Sequence, residues 1–148
     1  MVAGLVVQSF QSLPGDMGTL LHVSREEGHN LVERLVDDWE DGSNRFDRWG
    51  EVALEARLDS RLVGVGGLNR DPYLDDPSVG RIRHVYVSPD ARSLGVGRVL
   101  VLSLVEHARV HFSRVRLRTG SAKTSGFYLR LGFVEAPDEP DATHQIVF

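Results

Sequence analysis

The residues best suited to carry chemistry lie in one segment between a predicted strand and a predicted helix. The segment from Arg81 to Arg98 runs from an apolar strand through a glycine-bearing turn into a helix start. The first N–H groups of a helix lack partners, so an anion placed there meets donors and the positive end of the helix dipole. Gly95 and Gly97 let a phosphate approach the backbone, and Arg92 or Arg98 supplies a guanidinium. The segment predicts an anion site; the alternative is a tight turn that opens a core helix.

The glycine spacing excludes the two commonest phosphate-binding motifs. The third glycine of a G-x-G-x-x-G fingerprint would fall at Leu100, and no P-loop pattern is present. A second glycine cluster, Gly64 to Gly67, lies inside a predicted strand with no helix after it. We therefore interpret that cluster as a close-packed or bulged strand rather than a phosphate loop.

The elements around the segment alternate between strand and helix patterns. Apolar residues at every second position or in short runs predict strands, and three- and four-residue spacing predicts helices. The predicted strands are residues 5–10, 52–58, 62–68, 81–87, 114–118 and 144–148, and the helices cover 17–21, 29–39, 97–108 and 127–131. Residues 69–80 are predicted to form a loop, and Gly132 is predicted to end the last helix in a left-handed conformation. The order β-α-α-β-β-β-α-β-α-β indicates an α/β or α+β fold with a mixed sheet.

Size and composition bound the class of protein. A chain of 148 residues is expected to form one domain over residues 1–148, and its 41% hydrophobic and 26% charged residues are typical of a folded protein. The net charge of -4 argues against a nucleic acid or an anionic membrane as partner. The absence of cysteine excludes a thiolate metal site and an acyl-cysteine intermediate, and no metal site is predicted. The longest apolar stretch is too short to span a bilayer, so we expect a cytoplasmic location.

Two segments carry a resemblance to a known family. Arg92-Ser93-Leu94-Gly95-Val96-Gly97 matches the pattern R/Q-x-x-G-x-G/A, and Ser121 to Phe133 resembles N-x-x-A-x-x-F-Y-x-x-x-G-F. In these segments, which span about the C-terminal half, the chain resembles the GCN5-related N-acetyltransferase (GNAT) superfamily. The resemblance implies a mostly antiparallel sheet flanked by helices, acetyl-coenzyme A as cosubstrate and direct acetyl transfer to a primary amine in a ternary complex. It also implies a possible homodimer.

The resemblance also assigns roles to particular residues. The backbone of Val85, Tyr86 and Val87 would pair with the pantetheine arm like an added strand. Tyr128 would give a proton to the departing thiolate, since a phenol with a pKa of about 10 is protonated at neutral pH; its alternative role is that of a core aromatic residue. The implied pyrophosphate cradle consists of Arg92, Ser93, Leu94, Gly95, Val96, Gly97 and Arg98, with Ser121 at a position where the family has asparagine. Ser121 can still cap the short helix, and Thr124 replaces a family alanine.

The general base is not evident from the sequence. Related enzymes often carry a glutamate at positions that read Arg81 and Arg116 here. His84 and His144 are the alternative bases, because an unperturbed imidazole has a pKa of about 6.5; each is also readily explained as a structural residue. The acidic residues 138–141 are predicted to form a solvated loop, or to attract a cationic acceptor.

The sequence leaves the acceptor and two other functions open. A small-molecule amine and a protein amine both fit, since specificity would lie in loops around residues 25–48 and 69–80. One alternative function is a catalytically silent acyl-CoA-binding sensor or partner module of the same fold. The other is an interaction domain that presents a helix and binds no coenzyme A.

Overall fold

The computed structural model describes residues 3–148, which form one seven-stranded sheet with helices on both faces. The strands are β1 Leu5–Ser9, β2 Val52–Leu58, β3 Arg61–Arg70, β4 Val79–Val87, β5 Arg114–Leu117, β6 Val134–Glu135 and β7 His144–Val147. The helices are α1 Met17–Glu26, α2 Leu31–Asp41, α3 Val96–His111 and α4 Ala122–Arg130, and a 3-10 turn, Pro89–Leu94, precedes α3. The spatial order is β1-β2-β3-β4-β5-β7-β6, and β4 with β5 is the one parallel pair in the described sheet. The predicted fold class is confirmed.

The sheet separates two hydrophobic cores. Neighbouring residues of a strand point to opposite faces, and the buried Leu62 and Val63 of β3 accordingly enter different cores. One face is covered by α3, whose buried residues recur at the predicted helical spacing, and by α4. The other face is covered by α1 and α2. The central strands therefore lie between two layers of helix, which fixes the position of the β4 end from which α3 departs.

The glycine cluster of β3 is close-packed, as the sequence predicts. A Cβ atom on Gly67 would lie 2.3 Å from the ring of Phe46, and one on Gly66 would lie 3.1 Å from Leu104. The pairing of β3 with β4 also shifts register between Val65 and Gly67. The cluster thus lets side chains approach both faces of β3 and lies opposite a bulge in β4.

Several element boundaries differ from the predicted ones. The loop after β3 is shorter than residues 69–80, because Arg70 still pairs with Gly80. The short strand β6 was not predicted: two exposed residues carry no usable alternation. Gly132 has a φ of 102°, so the predicted left-handed end of α4 is confirmed. No helix within residues 3–148 is both long and apolar enough for a membrane crossing.

Candidate functional site

The sheet opens between β4 and β5. The two strands pair in parallel from Val79 to Arg81, opposite Arg114 to Arg116, and no further. From Ile82 to Val87, β4 has β3 on one side and no described strand on the other. That edge offers backbone N–H and C=O groups to any ligand that can pair as a strand.

A bulge in β4 lies just beyond the point where β4 stops pairing with β5. Val65 pairs with Tyr86 and Gly67 with Arg83, so two steps along β3 correspond to three along β4. His84 lies between Arg83 and Tyr86, in the part of β4 that contains the extra residue. It has a φ of 60° in the left-handed region, where histidine is enriched among non-glycine residues. Because a bulge bends its strand and increases twist, it turns the second half of β4 away from β5.

A cavity of about 380 Å³ lies at the opening between the two strands. The side chain of Tyr128 reaches it from α4, and His84 and Val85 line it from β4, so three of the predicted site residues meet there. The remaining lining residues are Leu31, Arg34, Tyr73, Arg81, Ile82, Arg83, Leu117, Arg118, Thr119 and Thr124. The sequence did not predict that Arg34, Arg83 and Arg118 meet here, because they come from three separate segments of the chain.

Tyr128 is held as a protonated phenol. The residue is 9% exposed, and burial raises the pKa of its hydroxyl to about 12. Its ring packs edge-on against Phe127 and Phe133, with centroids 5.1 and 5.5 Å apart. The side chain is thus fixed between two aromatic rings and can donate a hydrogen bond into the cavity at neutral pH.

His84 lies at the cavity but is a poor proton acceptor. Burial, followed by the positive charges of Arg83 and Arg34, lowers the pKa of its imidazole to about 3. Its Nε2 atom is buried without a hydrogen-bond partner, and its ring meets the edge of Phe46 at 6.2 Å. The pKa near 6.5 expected from the sequence therefore does not hold, and His84 is a neutral imidazole at pH 7.

His144 does not reach the cavity. Its Nε2 atom lies 2.9 Å from the Ser125 hydroxyl and its Nδ1 atom 2.8 Å from the Thr143 hydroxyl. The residue is 3% exposed and is absent from the cavity lining. This placement supports the structural alternative for His144 and leaves the predicted role as base without geometric support.

The predicted phosphate cradle is built on the start of α3. Gly95 takes the N-cap position with a φ of 80°, and no side chain caps the helix, so the first N–H groups remain open to a ligand. A Cβ atom on Gly97 would meet the ring of Phe127 at 3.4 Å. Ser93, Leu94 and Arg98 are exposed at the rim, and Val96 is buried in the core, so Val96 contributes only its backbone.

The guanidinium of Arg92 is already engaged. It donates to both carboxylate oxygens of Glu27, and its Nε donates to the Val87 carbonyl at 2.9 Å. It also lies 5.5 Å from the ring centre of Tyr86, whose hydroxyl donates to the same carboxylate. In this structure the Arg92 side chain braces the end of β4, and its contact with a phosphate stays a prediction.

Ser121 caps α4 as its sequence position indicated. Its hydroxyl accepts a hydrogen bond from the Thr124 backbone N–H at 3.2 Å. The Thr124 hydroxyl contacts the hydroxyls of both Ser121 and Thr119. Ser121 therefore acts on the cavity through Thr124, which lines it.

The two arginines at the family's glutamate positions share one buried carboxylate. Asp71 accepts a hydrogen bond from Arg116 Nε at 2.8 Å and one from Arg81 Nη1 at 3.4 Å. Glu139 pairs with Arg114 and Arg116, so the acidic residues 138–141 are partly a structural brace and not simply a solvated loop. No carboxylate side chain within residues 3–148 lines the cavity.

The chain is similar to acetyltransferases in sequence and in fold. Residues 18–133 match the acetyltransferase (GNAT) family. Mycothiol acetyltransferase from Rhodococcus jostii (strain RHA1) is 34% identical over 80 residues, or 53% of this chain and about a quarter (25%) of that relative's length.

Solved structures of acetyltransferases are similar to this chain over nearly its whole length. A protein assigned as an acetyltransferase from Exiguobacterium sp. 255-15 is 30% identical, with a TM-score of 0.84 over 97% of this chain and 93% of that one. A ribosomal-protein-alanine N-acetyltransferase from Brucella melitensis is 20% identical, with a TM-score of 0.71 over 97% and 99% of the two chains. The second likeness concerns the fold alone.

Proposed function

Because the chain belongs to the acetyltransferase (GNAT) family, we propose that it transfers an acetyl group from acetyl-coenzyme A directly to a primary amine. The observation that carries the proposal is the open edge of β4 beside the protonated hydroxyl of Tyr128. Direct transfer in a ternary complex fits a chain without cysteine, which has no thiol to carry the acetyl group.

Two features fit acetyl-coenzyme A. The pantetheine arm carries amide donors and acceptors that match the free edge at Val85, Tyr86 and Val87. The uncapped start of α3 offers several N–H groups to the pyrophosphate, together with Arg98 at the rim. When bound, the thioester supplies the activated acetyl group; backbone N–H groups near Val87 would donate to its carbonyl oxygen.

Tyr128 would donate a proton to the departing thiolate of coenzyme A. Its phenol stays protonated at neutral pH, because burial raises its pKa, and it faces the cavity where the thiolate would leave. A positioned acid of this kind typically contributes a factor of about 100 to 10,000 in rate.

The cavity itself helps the acceptor lose its proton. An amine with a pKa of about 10.4 costs roughly 4–5 kcal/mol to deprotonate at pH 7. Burial lowers such a pKa because it disfavours the charged form, and burial is the largest cause that lowers the pKa of the His84 imidazole at this cavity. We therefore propose that no carboxylate base is needed: the amine reacts as the neutral form that the partly buried cavity favours.

Calorimetric titration with acetyl-coenzyme A tests the proposal. Wild type should bind, whereas Gly95→Glu should not, because it places a negative charge in the cradle. Gly132→Glu is the matched control, since it puts the same side chain at another left-handed glycine, away from the cradle. Binding that is lost in neither variant would move the site elsewhere, and no binding by folded wild-type protein would exclude the proposed activity.

A further inference from the structure

The cavity between β4 and β5 is lined by one sign of charge. Among the described residues that line it are four arginines and no aspartate or glutamate. Arg34 comes from α2, Arg81 and Arg83 from β4, and Arg118 follows β5. This local excess contrasts with the net charge of -4 of the chain.

Three of the four arginines have no side-chain partner among the residues that the structure describes. Arg81 is occupied, since it pairs with Asp71 and donates to the Asp141 carbonyl at 2.7 Å. The side chains of Arg34, Arg83 and Arg118 form no hydrogen bond or ion pair with any residue of the described range 3–148. Guanidinium groups from three elements at one cavity repel one another, and an anion between them relieves that repulsion.

A buried neighbour responds to this charge. After burial, the charges of Arg83 and Arg34 are the causes that lower the pKa of His84, whose Nε2 atom lacks a partner. The field of these two arginines therefore acts at the cavity wall, where it is less screened than at an open surface.

The coenzyme phosphates do not account for these arginines. The cradle follows the C-terminal end of β4, whereas Arg83 lies four residues before Val87 in the sequence, or about 13 Å back along the strand. Arg81 and Arg83 thus precede Val85 on β4, whereas the cradle follows Val87, so these arginines are separated from the cradle along the strand.

We infer that the acceptor is a small amine that also carries a carboxylate or phosphate group, and that Arg34, Arg83 and Arg118 bind this group. The inference rests on the proposed acetyl transfer and names its substrate class. Guanidinium groups bind both kinds of anion through paired N–H donors, and a cavity of about 380 Å³ is of small-molecule size. The anion orients the acceptor, leaving its amine toward the open edge of β4.

Matched acceptors test this directly. Each L-amino acid is compared with the amine that remains when its carboxylate is removed, and O-phosphoethanolamine with ethanolamine. Initial rates of coenzyme A release should favour the anionic member of at least one pair by about tenfold or more, the scale of a charge-assisted hydrogen bond. The preferred pair shows whether the group is a carboxylate or a phosphate.

Variants assign the effect to the arginines. Arg83→Gln and Arg118→Gln should each lower kcat/KM for the anionic acceptor by about 10- to 100-fold and leave the neutral partner nearly unaffected. Arg130→Gln is the control: it removes one exposed arginine of α4 that does not line the cavity. Equal rates within every pair, equal losses in the control, or faster acetylation of a C-terminally amidated peptide without acidic residues would each overturn the inference.

Binding without acetyl-coenzyme A separates this inference from the proposed function. Calorimetric titration with the anionic amines alone should show binding to wild type that Arg83→Gln weakens. If that binding is present while acetyl-coenzyme A fails to bind, the result supports the anion site and contradicts the proposed acetyl transfer. If acetyl-coenzyme A binds and neutral amines are acetylated as fast as their anionic partners, the result supports acetyl transfer and contradicts the anion site.

Discussion

The carboxylate of Glu27 and the guanidinium of Arg92 form a two-point ion pair between the end of α1 and the turn that leads into α3. Arg92 Nη1 donates to Glu27 Oε2 at 2.9 Å, and Nη2 donates to Oε1. The same guanidinium donates to the carbonyl of Val87, the last residue of β4. One side chain therefore ties α1, β4 and the approach to the phosphate cradle together.

Removing either partner should cost little stability. Glu27→Gln and Arg92→Gln should each lower the free energy of unfolding by about 0.5–1 kcal/mol, since both side chains are partly exposed and such pairs are weak. A double-mutant cycle by urea unfolding should give a coupling of that size. A large loss of acetyl-coenzyme A affinity in Arg92→Gln alone would instead indicate direct phosphate contact.

The contribution of this pair should depend on pH. The hydrogen bond from Arg92 is the main cause that lowers the pKa of Glu27 below 4.5. A lowered carboxyl pKa stabilises the fold above the unfolded pKa, and this stabilisation is lost as the pH falls through the folded value. The coupling should thus be present at pH 7 and shrink below pH 4.5.

Tyr128→Phe should separate binding from catalysis. Loss of the phenol proton should lower kcat by about 100- to 10,000-fold, while calorimetry shows unchanged affinity for acetyl-coenzyme A. Because the pKa of Tyr128 is about 12, its ionisation should not lower the wild-type rate below about pH 10. A silent acyl-CoA-binding module would show no turnover in either form with any amine.

The parts of the site that the sequence predicts are those set by local backbone chemistry. Gly95 and Gly97 before an apolar helix indicate the start of α3, and Gly132 indicates the end of α4. Phe127 and Tyr128 precede Leu131 by four and three residues, a helical spacing that predicts one core-facing side, and Tyr128 is buried there. These features depend on neighbours within a few residues, which a sequence displays directly.

The parts that the sequence misses depend on contacts between distant segments. Arg92 and Glu27 are 65 residues apart, and no local sequence pattern predicts that they pair. The pKa of His84 reflects burial and charges from α2 and β4 together, so residue type alone suggests the wrong value. The cluster of arginines at the cavity likewise arises only once α2, β4 and the end of β5 converge.

His84 should make the protein lose stability on mild acidification. Its folded pKa of about 3 lies below the ordinary 6.5, so the unfolded state binds more protons between those values. The free energy of unfolding should fall as the pH drops from 6.5 towards 3, and the contribution is complete above 6.5. Asparagine tolerates the left-handed conformation of this position, so His84→Asn should show a shallower fall. Parallel curves for the two proteins would contradict the assignment.

Asp71 should be essential to the stability of the sheet opening. Its carboxylate lies between Arg116, which is fully buried, and Arg81, which is 6% exposed. Asp71→Asn would leave Arg81 without a counter-charge and Arg116 with only the longer contact to Glu139, and breaking a buried pair in this way typically costs about 3–5 kcal/mol. Burial already lowers the pKa of Arg81, which the charge of Asp71 offsets. Urea unfolding should show the loss in Asp71→Asn and none in Asp75→Asn, an exposed position in the same loop. A change below about 1 kcal/mol, the scale of an exposed pair, would mean that solvent or other groups already neutralise the arginines.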